Sequence, residues 1–361
     1  MERKIAWEKY SQEEMEKVFA FAENYRQFLS LGKTERECVK LAVAEAKAHG
    51  YEDLQDVIAS GKTLKTGDKV YSVCMGKTLA MFQIGEEPLE NGMNIVGAHI
   101  DSPRIDLKQN PLYEDTDMAM FDTHYYGGIK KYQWVALPLA LYGVVAKKDG
   151  TTVDIAIGDD PSDPVFGISD LLPHLAREQM TKTASKIIEG EDLNLLIGSI
   201  PVKDEEKDAV KKNVLALLKE KYDIEEDDFI SAEIEVVPAG AARDYGFDRS
   251  MIMGYGHDDR VCAYPSYEAM FELGSVKRTA VCLLVDKEEI GSTGATGMTS
   301  FWFENTAAEV INACGDYSDL KVRRCLNNSR MLSSDVSAGF DPNYPSVMEK
   351  NNSSFLGKGL T

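Results

Sequence analysis

Four places in this chain put metal-ligating or proton-transferring side chains directly after an apolar run. In Asn94-Ile-Val-Gly-Ala-His99-Ile-Asp101-Ser-Pro103 the run ends in an imidazole, with a carboxylate two residues on. Gly256-His257-Asp258-Asp259-Arg260 follows Met251–Tyr255, Asp286-Lys287-Glu288-Glu289-Ile290-Gly291 follows Thr279–Val285, and Ser334-Asp335 follows the stretch around Met331. A buried strand that delivers a side chain to its carboxyl end serves the edge where open α/β sheets bind ligands. Imidazole nitrogen and carboxylate oxygen suit hard and borderline divalent ions. A metal-bound histidine gives its other N–H to a partner such as Asp101.

A paired-metal hydrolase needs a carboxylate shared between the ions, further ligands on each, and a base for the bridging water. Asp258 reads as the shared carboxylate, with Asp259 and Arg260 as a supporting pair behind it. Glu288 and Glu289 are neighbours at a strand end and point in different directions, so one can ligate while the other faces the water. Each cluster alone has an ordinary reading: a solvated Glu-Glu pair, a charged helix start, a hydrogen-bonded buried histidine. Their coincidence at four strand ends favours a site. Of the five histidines, His49 reads as a helix-end residue favoured by the dipole, His257 as a bystander beside Asp258, and His124 has no recognisable setting. No His-Glu-x-x-His, Walker A loop or Gly-x-Ser-x-Gly elbow is present. Gly291–Gly297 is read as close backbone packing beside the site, since the acidic pair before it would repel phosphate.

The elements that must hold these groups form an α/β pattern. Ser11-Gln-Glu-Glu14 and Thr34-Glu-Arg-Glu37 are capping-box sequences ahead of two amphipathic helices. Lys69–Met75 and Thr78–Ile84 read as a strand pair before the strand that ends at His99. From Arg104 to Pro238 the texture becomes β-rich and turn-punctuated, with one charged amphipathic helix over Asp204–Lys221. This reads as residues 104–238 inserted between 1–103 and 239–361. After Pro238 helices and buried strands alternate again.

The 361 residues carry a net charge of −20, which argues against nucleic acid because phosphate contacts need clustered Lys and Arg. Six scattered cysteines with no Cys-x-x-Cys pair read as reduced thiols. No run reaches a membrane span, and Met1–Trp7 lacks the apolar core of a signal peptide. A cytoplasmic protein is expected.

The motifs His99-Ile-Asp-Ser-Pro103, Asp258-Asp-Arg260, Glu288-Glu-Ile-Gly-Ser292, Ser334-Asp335 and Pro342-Asn-Tyr344, in this order, resemble the M18 family of metalloaminopeptidases, the aspartyl aminopeptidase and aminopeptidase I group. The resemblance implies a zinc-peptidase (phosphorylase/hydrolase-like) three-layer α/β/α domain interrupted by a β-rich dimerisation domain. It implies two zinc ions per subunit (Co2+ or Mn2+ being alternatives), a dimer-based homo-dodecamer, and release of N-terminal amino acids from peptides in the cytosol. Carried over by position, His99, Asp335 and bridging Asp258 hold one metal, Glu289 holds the second, Glu288 is the base and Asp101 orients His99. His174 matches a position that reaches a neighbouring subunit's active site. Two stretches depart from the family: Ser334-Asp335-Val-Ser-Ala-Gly339 stands for the usual Asp-x-Ala-His-Ala, and Asp341-Pro-Asn-Tyr344 for His-Pro-Asn-Tyr. Family chains continue past Gly357-Lys358-Gly359 to a last histidine ligand, and no histidine follows His257 here. The expectation is therefore a C-terminally truncated chain with an incomplete second metal site. Its alternatives are an impaired fragment serving only assembly or binding, and an M42-like aminopeptidase.

Overall fold

The computed structural model of the chain describes residues 4–315 and 317–361. In chain order its helices are α1 (Gln12–Leu31), α2 (Glu35–Ala48), α3 (Leu54–Ser60), α4 (Ala209–Tyr222), α5 (His257–Phe271), α6 (Trp302–Ala313) and α7 (Asp319–Asn328). Four strands, β1 (Glu52–Asp53), β2 (Lys69–Cys74), β3 (Thr78–Gln83) and β4 (Asn94–His99), come before the chain enters its second sheet with β5 (Arg104–Asp115). They are followed by β6 (Met118–Tyr126), β7 (Leu139–Ala146), β8 (Thr152–Ile157), β9 (Leu195–Gly198) and β10 (Ala232–Pro238). The last four are β11 (Arg243–Tyr245), β12 (Met251–Met253), β13 (Ala280–Val285) and β14 (Arg330–Ser333).

Local signals account for the first helices. Ser11 accepts from the Glu14 amide while Glu14 reaches back to the Ser11 amide, a complete capping box on α1. Thr34 caps α2 by accepting from the Glu37 amide. Positive-φ Gly61 closes α3, a helix too short for hydrophobic periodicity to announce.

One six-stranded mixed sheet runs β1-β2-β3-β13-β4-β14. Its strands alternate between two cores. Cys282 and Leu284 of β13 pack with Tyr25, Phe28, Ala42 and Tyr267 from α1, α2 and α5. Val281 and Leu283 pack with Val57, Ala307, Val310 and Val322 from α3, α6 and α7. The result is the α/β/α sandwich expected of a sheet buried on both faces. β13 and β14 both run parallel to β4, with Val285 opposite His99 and Ser333 opposite Gly97. That register brings three carboxyl ends, and the acidic residues that follow them, to one edge. A Cβ on Gly97 would stand 3.0 Å from the Leu283 carbonyl oxygen and 3.0 Å from the Met331 side chain, so the close packing of β4 between its neighbours favours glycine there.

The second sheet is antiparallel, ordered β8-β7-β10-β5-β6-β9, with its own core around Ile105, Phe121, Leu141, Ile155 and Val236 and helix α4 against it. The chain enters this sheet at Arg104 and leaves it at Pro238. Where the two sheets meet, four ionic side chains are nearly water-free: Glu35, Lys77, Arg104 and Glu235. Lys77 Nζ lies 2.8 Å from Glu35, and Arg104 lies 3.4 Å from Glu35, 3.2 Å from Glu235 and 2.8 Å from Asp106. Arg36 and Lys77 both pair with Glu233. Burial opposes ionising Glu35, but Arg104 and Lys77 override it and hold its carboxyl low. Burial pushes Glu235 well up, and Glu35 beside it adds to the rise. Glu35, Glu233 and Glu235 are close enough to chelate an ion, yet three cations already fill their centre. This is a salt cluster joining the sheets. From sequence, Glu35 and Arg36 are simply the first turn of a packing helix.

Candidate metal centre

His99 ends β4 and is 3% exposed. Its Nδ1 lies 2.9 Å from the Asp101 backbone carbonyl and 3.4 Å from Asp101 Oδ1. A proton on Nδ1 satisfies that contact and turns Nε2 toward the carboxylates, 3.2 Å from Asp258 Oδ1 and 3.7 Å from Glu288 Oε2, where a cation could replace its proton. Burial alone would lower the ring's pKa. Asp101 outweighs it and pushes His99 up to about 9.

Asp101 is fully buried and saturated with donors. It accepts from the Tyr126 hydroxyl at 2.7 Å and from the Glu288 and Glu289 amides at 3.1 and 3.2 Å. Burial works against its charge, and His99 and Tyr126 more than compensate, so the carboxyl stays below its ordinary value. Asp101 thus holds the histidine ring mainly by its backbone carbonyl, and by its carboxylate the backbone carrying the glutamate pair.

Glu288 and Glu289 occupy a single 3-10 turn between Lys287 (φ 70°) and Gly291 (φ 86°), two left-handed positions that swing the chain off the end of β13. Of the Gly291–Gly297 stretch, read from sequence as close backbone packing, only the far end fits that reading: a Cβ on Gly297 would stand 2.1 Å from the Ser292 carbonyl oxygen, whereas one on Gly291 would meet nothing within 4 Å. Burial, then the nearby Asp258 charge, push Glu289 up to about 7.

Asp258 follows Gly256 (φ 84°) at the start of α5, its carbonyl accepting from Ser102 Oγ at 2.8 Å. The Asp258–Asp259 peptide is cis. Asp259 and Arg260 do not form the pair expected from sequence. Arg260 turns inward to the Ile100 and Lys33 carbonyls at 3.3 and 3.1 Å, because two backbone acceptors lie at the end of its long side chain. Asp259 is left buried, with both carboxylate oxygens lacking a hydrogen-bond partner. Burial pushes it up to about 6.

Ligand atoms of His99, Asp258 and Asp335 lie within 4.8 Å of one another, and so do those of His99, Glu288 and Glu289. The two triads share the His99 ring. The donor set of imidazole and crowded carboxylates suits zinc. Glu289 is driven toward neutrality and Asp259 is orphaned, which is what a divalent charge at this place would relieve.

The other histidines stand apart. His257 donates from Nε2 to the Ile252 carbonyl at 3.0 Å, so its Nδ1 accepts from Tyr25 at 2.8 Å; both nitrogens are occupied, and the ring is not a ligand. His49 bonds the Glu45 carbonyl at 2.9 Å and stacks on Phe271. His124 is exposed on β6. His174 is exposed between β8 and β9 and does not join the carboxylate cluster within this chain.

Two contributors escaped the sequence reading, Tyr126 and Ser102. Tyr126 ends an alternating strand directly before Gly127-Gly128, a position that signals a turn rather than a hydrogen-bond donor to a carboxylate 25 residues away. Ser102 lies inside the His99–Pro103 motif, and nothing in the sequence marks its hydroxyl as a donor to the Asp258 carbonyl.

Comparison with known proteins follows the same lines. The family described as aminopeptidase I zinc metalloprotease (M18) matches residues 28–361. A probable M18 family aminopeptidase 1 from Clostridium acetobutylicum is 63% identical over 99% of this chain and 77% of its own length. The crystal structure of an M18 aminopeptidase from Thermotoga maritima superposes with a TM-score of 0.92 at 44% identity, over 99% of this chain and 78% of that one. The crystal structure of aminopeptidase I from C. acetobutylicum gives 0.90 at 60% identity, with the same coverage. With the α/β/α sheet and the His99 carboxylate centre, these likenesses place the chain in the M18 family of zinc metalloproteases, as an aminopeptidase.

Proposed function

We propose that the chain removes N-terminal residues from peptides by two-metal hydrolysis at the His99 centre. The observation that carries the reading is the crowding of the His99 ring with the carboxylates of Asp258, Glu288, Glu289 and Asp335 at one sheet edge. His99, Asp258 and Asp335 would hold one zinc; Glu289, with Asp258 as bridge, would hold the second. Bound zinc ions supply an acidified water and a Lewis acid for the scissile carbonyl and the free amine. Asp101 keeps the His99 ring in the tautomer that presents Nε2, and its grip on the Glu288 and Glu289 amides fixes the turn. Glu288 is the general base: its carboxylate takes the proton of the attacking water and returns it to the leaving amine.

Residues 1–103 and 239–361 form the catalytic unit in this reading, and 104–238 the assembly unit of a homo-oligomer. A yeast relative sharing the fold at 20% identity is described as a dodecamer. Exposed Leu171, Leu172 and Leu175 beside His174 support a subunit contact there, through which His174 would reach a neighbour's substrate. A cytoplasmic location is supported by six free cysteines, and no helix among the described residues is long and apolar enough to cross a membrane.

Metal content per chain and turnover of aminoacyl-p-nitroanilides test this together. At least one zinc with measurable release is expected; less than one zinc and no turnover at high protein concentration would sink it. Glu288→Gln keeps its metal and loses about 10²–10⁴ in rate, the range for a positioned base. Unchanged turnover removes Glu288 from the mechanism.

A further inference from the structure

A hollow of about 400 Å³ opens beside Asp258, between the Ser102-Pro103 bend, the Gly128–Trp134 loop and the Tyr255–Asp258 entry to α5. Its volume lies low in the range of about 300–1,000 Å³ typical of small-ligand sites, enough for one side chain and its adjoining backbone. Its walls come from both sheets' connections. Gly127, one residue earlier, stands so close that a Cβ there would lie 3.3 Å from Glu289 and 3.4 Å from Pro103. The loop lining the hollow is therefore in contact with the metal centre itself.

The inner surface of the hollow is aromatic. Trp134 is 7% exposed and meets Tyr255 edge-to-face at 6.4 Å. The Tyr255 hydroxyl is committed to the Pro103 carbonyl at 2.9 Å, so its polar end is already satisfied. Ile129 adds apolar wall, and Lys130 and Gln133 supply the polar part of the lining. Lys130 is exposed and forms no ion pair among the described residues; it is the one cationic side chain lining the hollow, because His257 is neutral with both nitrogens engaged. Around it the site is strongly acidic, with Asp258, Glu288, Glu289 and Asp335. An aromatic surface with a lone ammonium beside it, reached past the carboxylates that hold the metals, is built to receive a side chain.

Resting on the aminopeptidase reading, we propose that this hollow is a specificity subsite for a residue flanking the scissile bond. It takes an aromatic or branched aliphatic side chain on Trp134 and Tyr255, while Lys130 disfavours cationic side chains and favours acidic ones. The general chemistry is that of a preformed apolar pocket with few polar groups fixing choice.

The test uses dipeptide analogues in which –CH2–NH– replaces the peptide bond, so that binding is read without turnover. Phe-Ala, Ala-Phe, Ala-Ala, Glu-Ala, Lys-Ala, Ala-Glu and Ala-Lys analogues are titrated into the zinc-loaded protein. Trp134 emission is followed in a Trp7→Phe, Trp302→Phe background. One Phe-bearing analogue shifts Trp134 emission and binds about tenfold tighter than Ala-Ala; which one does so identifies the residue before or after the scissile bond. A Cβ on Gly128 meets nothing within 4 Å, so Gly128→Phe fills the hollow without crowding the fold. It removes the Phe advantage over Ala-Ala. Lys130→Glu inverts the Glu-over-Lys ratio by about threefold each way, as an exposed charge pair allows. Zinc-dependent binding of all analogues, with Trp134 emission unmoved and affinities indifferent to Gly128→Phe, overturns the subsite and leaves the metal centre standing. Absence of zinc-dependent binding by every analogue overturns the metallopeptidase reading and the subsite with it.

Discussion

The two ends of the carboxylate cluster are built differently. His99 lies on an interior strand, flanked by β13 and β14, 3% exposed, with its ring held by a saturated Asp101. Asp335 follows the edge strand β14, whose Met331 and Leu332 are 46% and 72% exposed, and is itself exposed. His99 is held by buried neighbours, whereas Asp335 is exposed and is brought near it by the register of β14 beside β4. The site therefore joins a buried half to an exposed one, and substitutions on the two sides should separate stability from metal affinity.

The largest effect belongs to His99→Ala. It removes the only imidazole of both triads and strips buried Asp101 of a partner, so the variant loses zinc and turnover. It also loses stability, about 1–3 kcal/mol for a buried polar group left short of its hydrogen bond. Metal analysis with denaturant unfolding of metal-free protein checks both halves. Asp335→Asn, by contrast, loses zinc affinity while the metal-free unfolding midpoint stays put, since an exposed side chain has little to lose on folding. A stability loss equal to that of His99→Ala would erase the distinction between the two ends.

Tyr126→Phe sharpens the comparison from the second sheet. It deletes the 2.7 Å bond to Asp101 and leaves the ring packed against Arg104. Outer partners of a metal-bound histidine are worth about 10–100-fold in affinity or activity, and the loss here should fall on zinc affinity. An unchanged zinc titration would mean that the backbone donors alone hold Asp101.

What could be read from the sequence divides along the same line. The strand ending at His99 and the Glu288-Glu289 step were legible because apolar runs stop abruptly there and the chain has few histidines. The capped helices α1 and α2 were legible from local chemistry. Contacts across the fold were not. Tyr126 to Asp101, Arg104 to Glu35 and Arg260 to Lys33 join residues 25, 69 and 227 positions apart, and no spacing rule reaches that far. Asp259-Arg260 failed for a related reason: adjacency suggested a pair, but the arginine reaches two carbonyls that only the tertiary fold supplies. The salt cluster at Glu35 was invisible because its members come from α2, the β2–β3 turn, β5 and β10.

The comparison can also be tested by pH, and the sign of the dependence follows from the site. In metal-free protein His99 is raised to about 9 and Glu289 to about 7. Both groups bind a proton more tightly folded than unfolded, so both favour the folded state at low pH. The Glu289 contribution is complete below its ordinary value near 4.5 and fades as pH rises through about 7. The His99 contribution is complete below about 6.5 and fades as pH rises through about 9. Metal-free protein should therefore lose stability steadily from about pH 5 to pH 9 at this site. Glu289→Gln flattens the lower part of that slope and His99→Gln the upper part. Bound zinc takes the place of the protons, so the holo protein should lose the slope and gain stability over the same interval. Denaturant midpoints measured across pH with and without zinc decide it. Asp259, raised to about 6, adds a slope of the same sign below that pH; a metal-free slope between about pH 7 and pH 9 that survives both substitutions would place its origin away from His99 and Glu289.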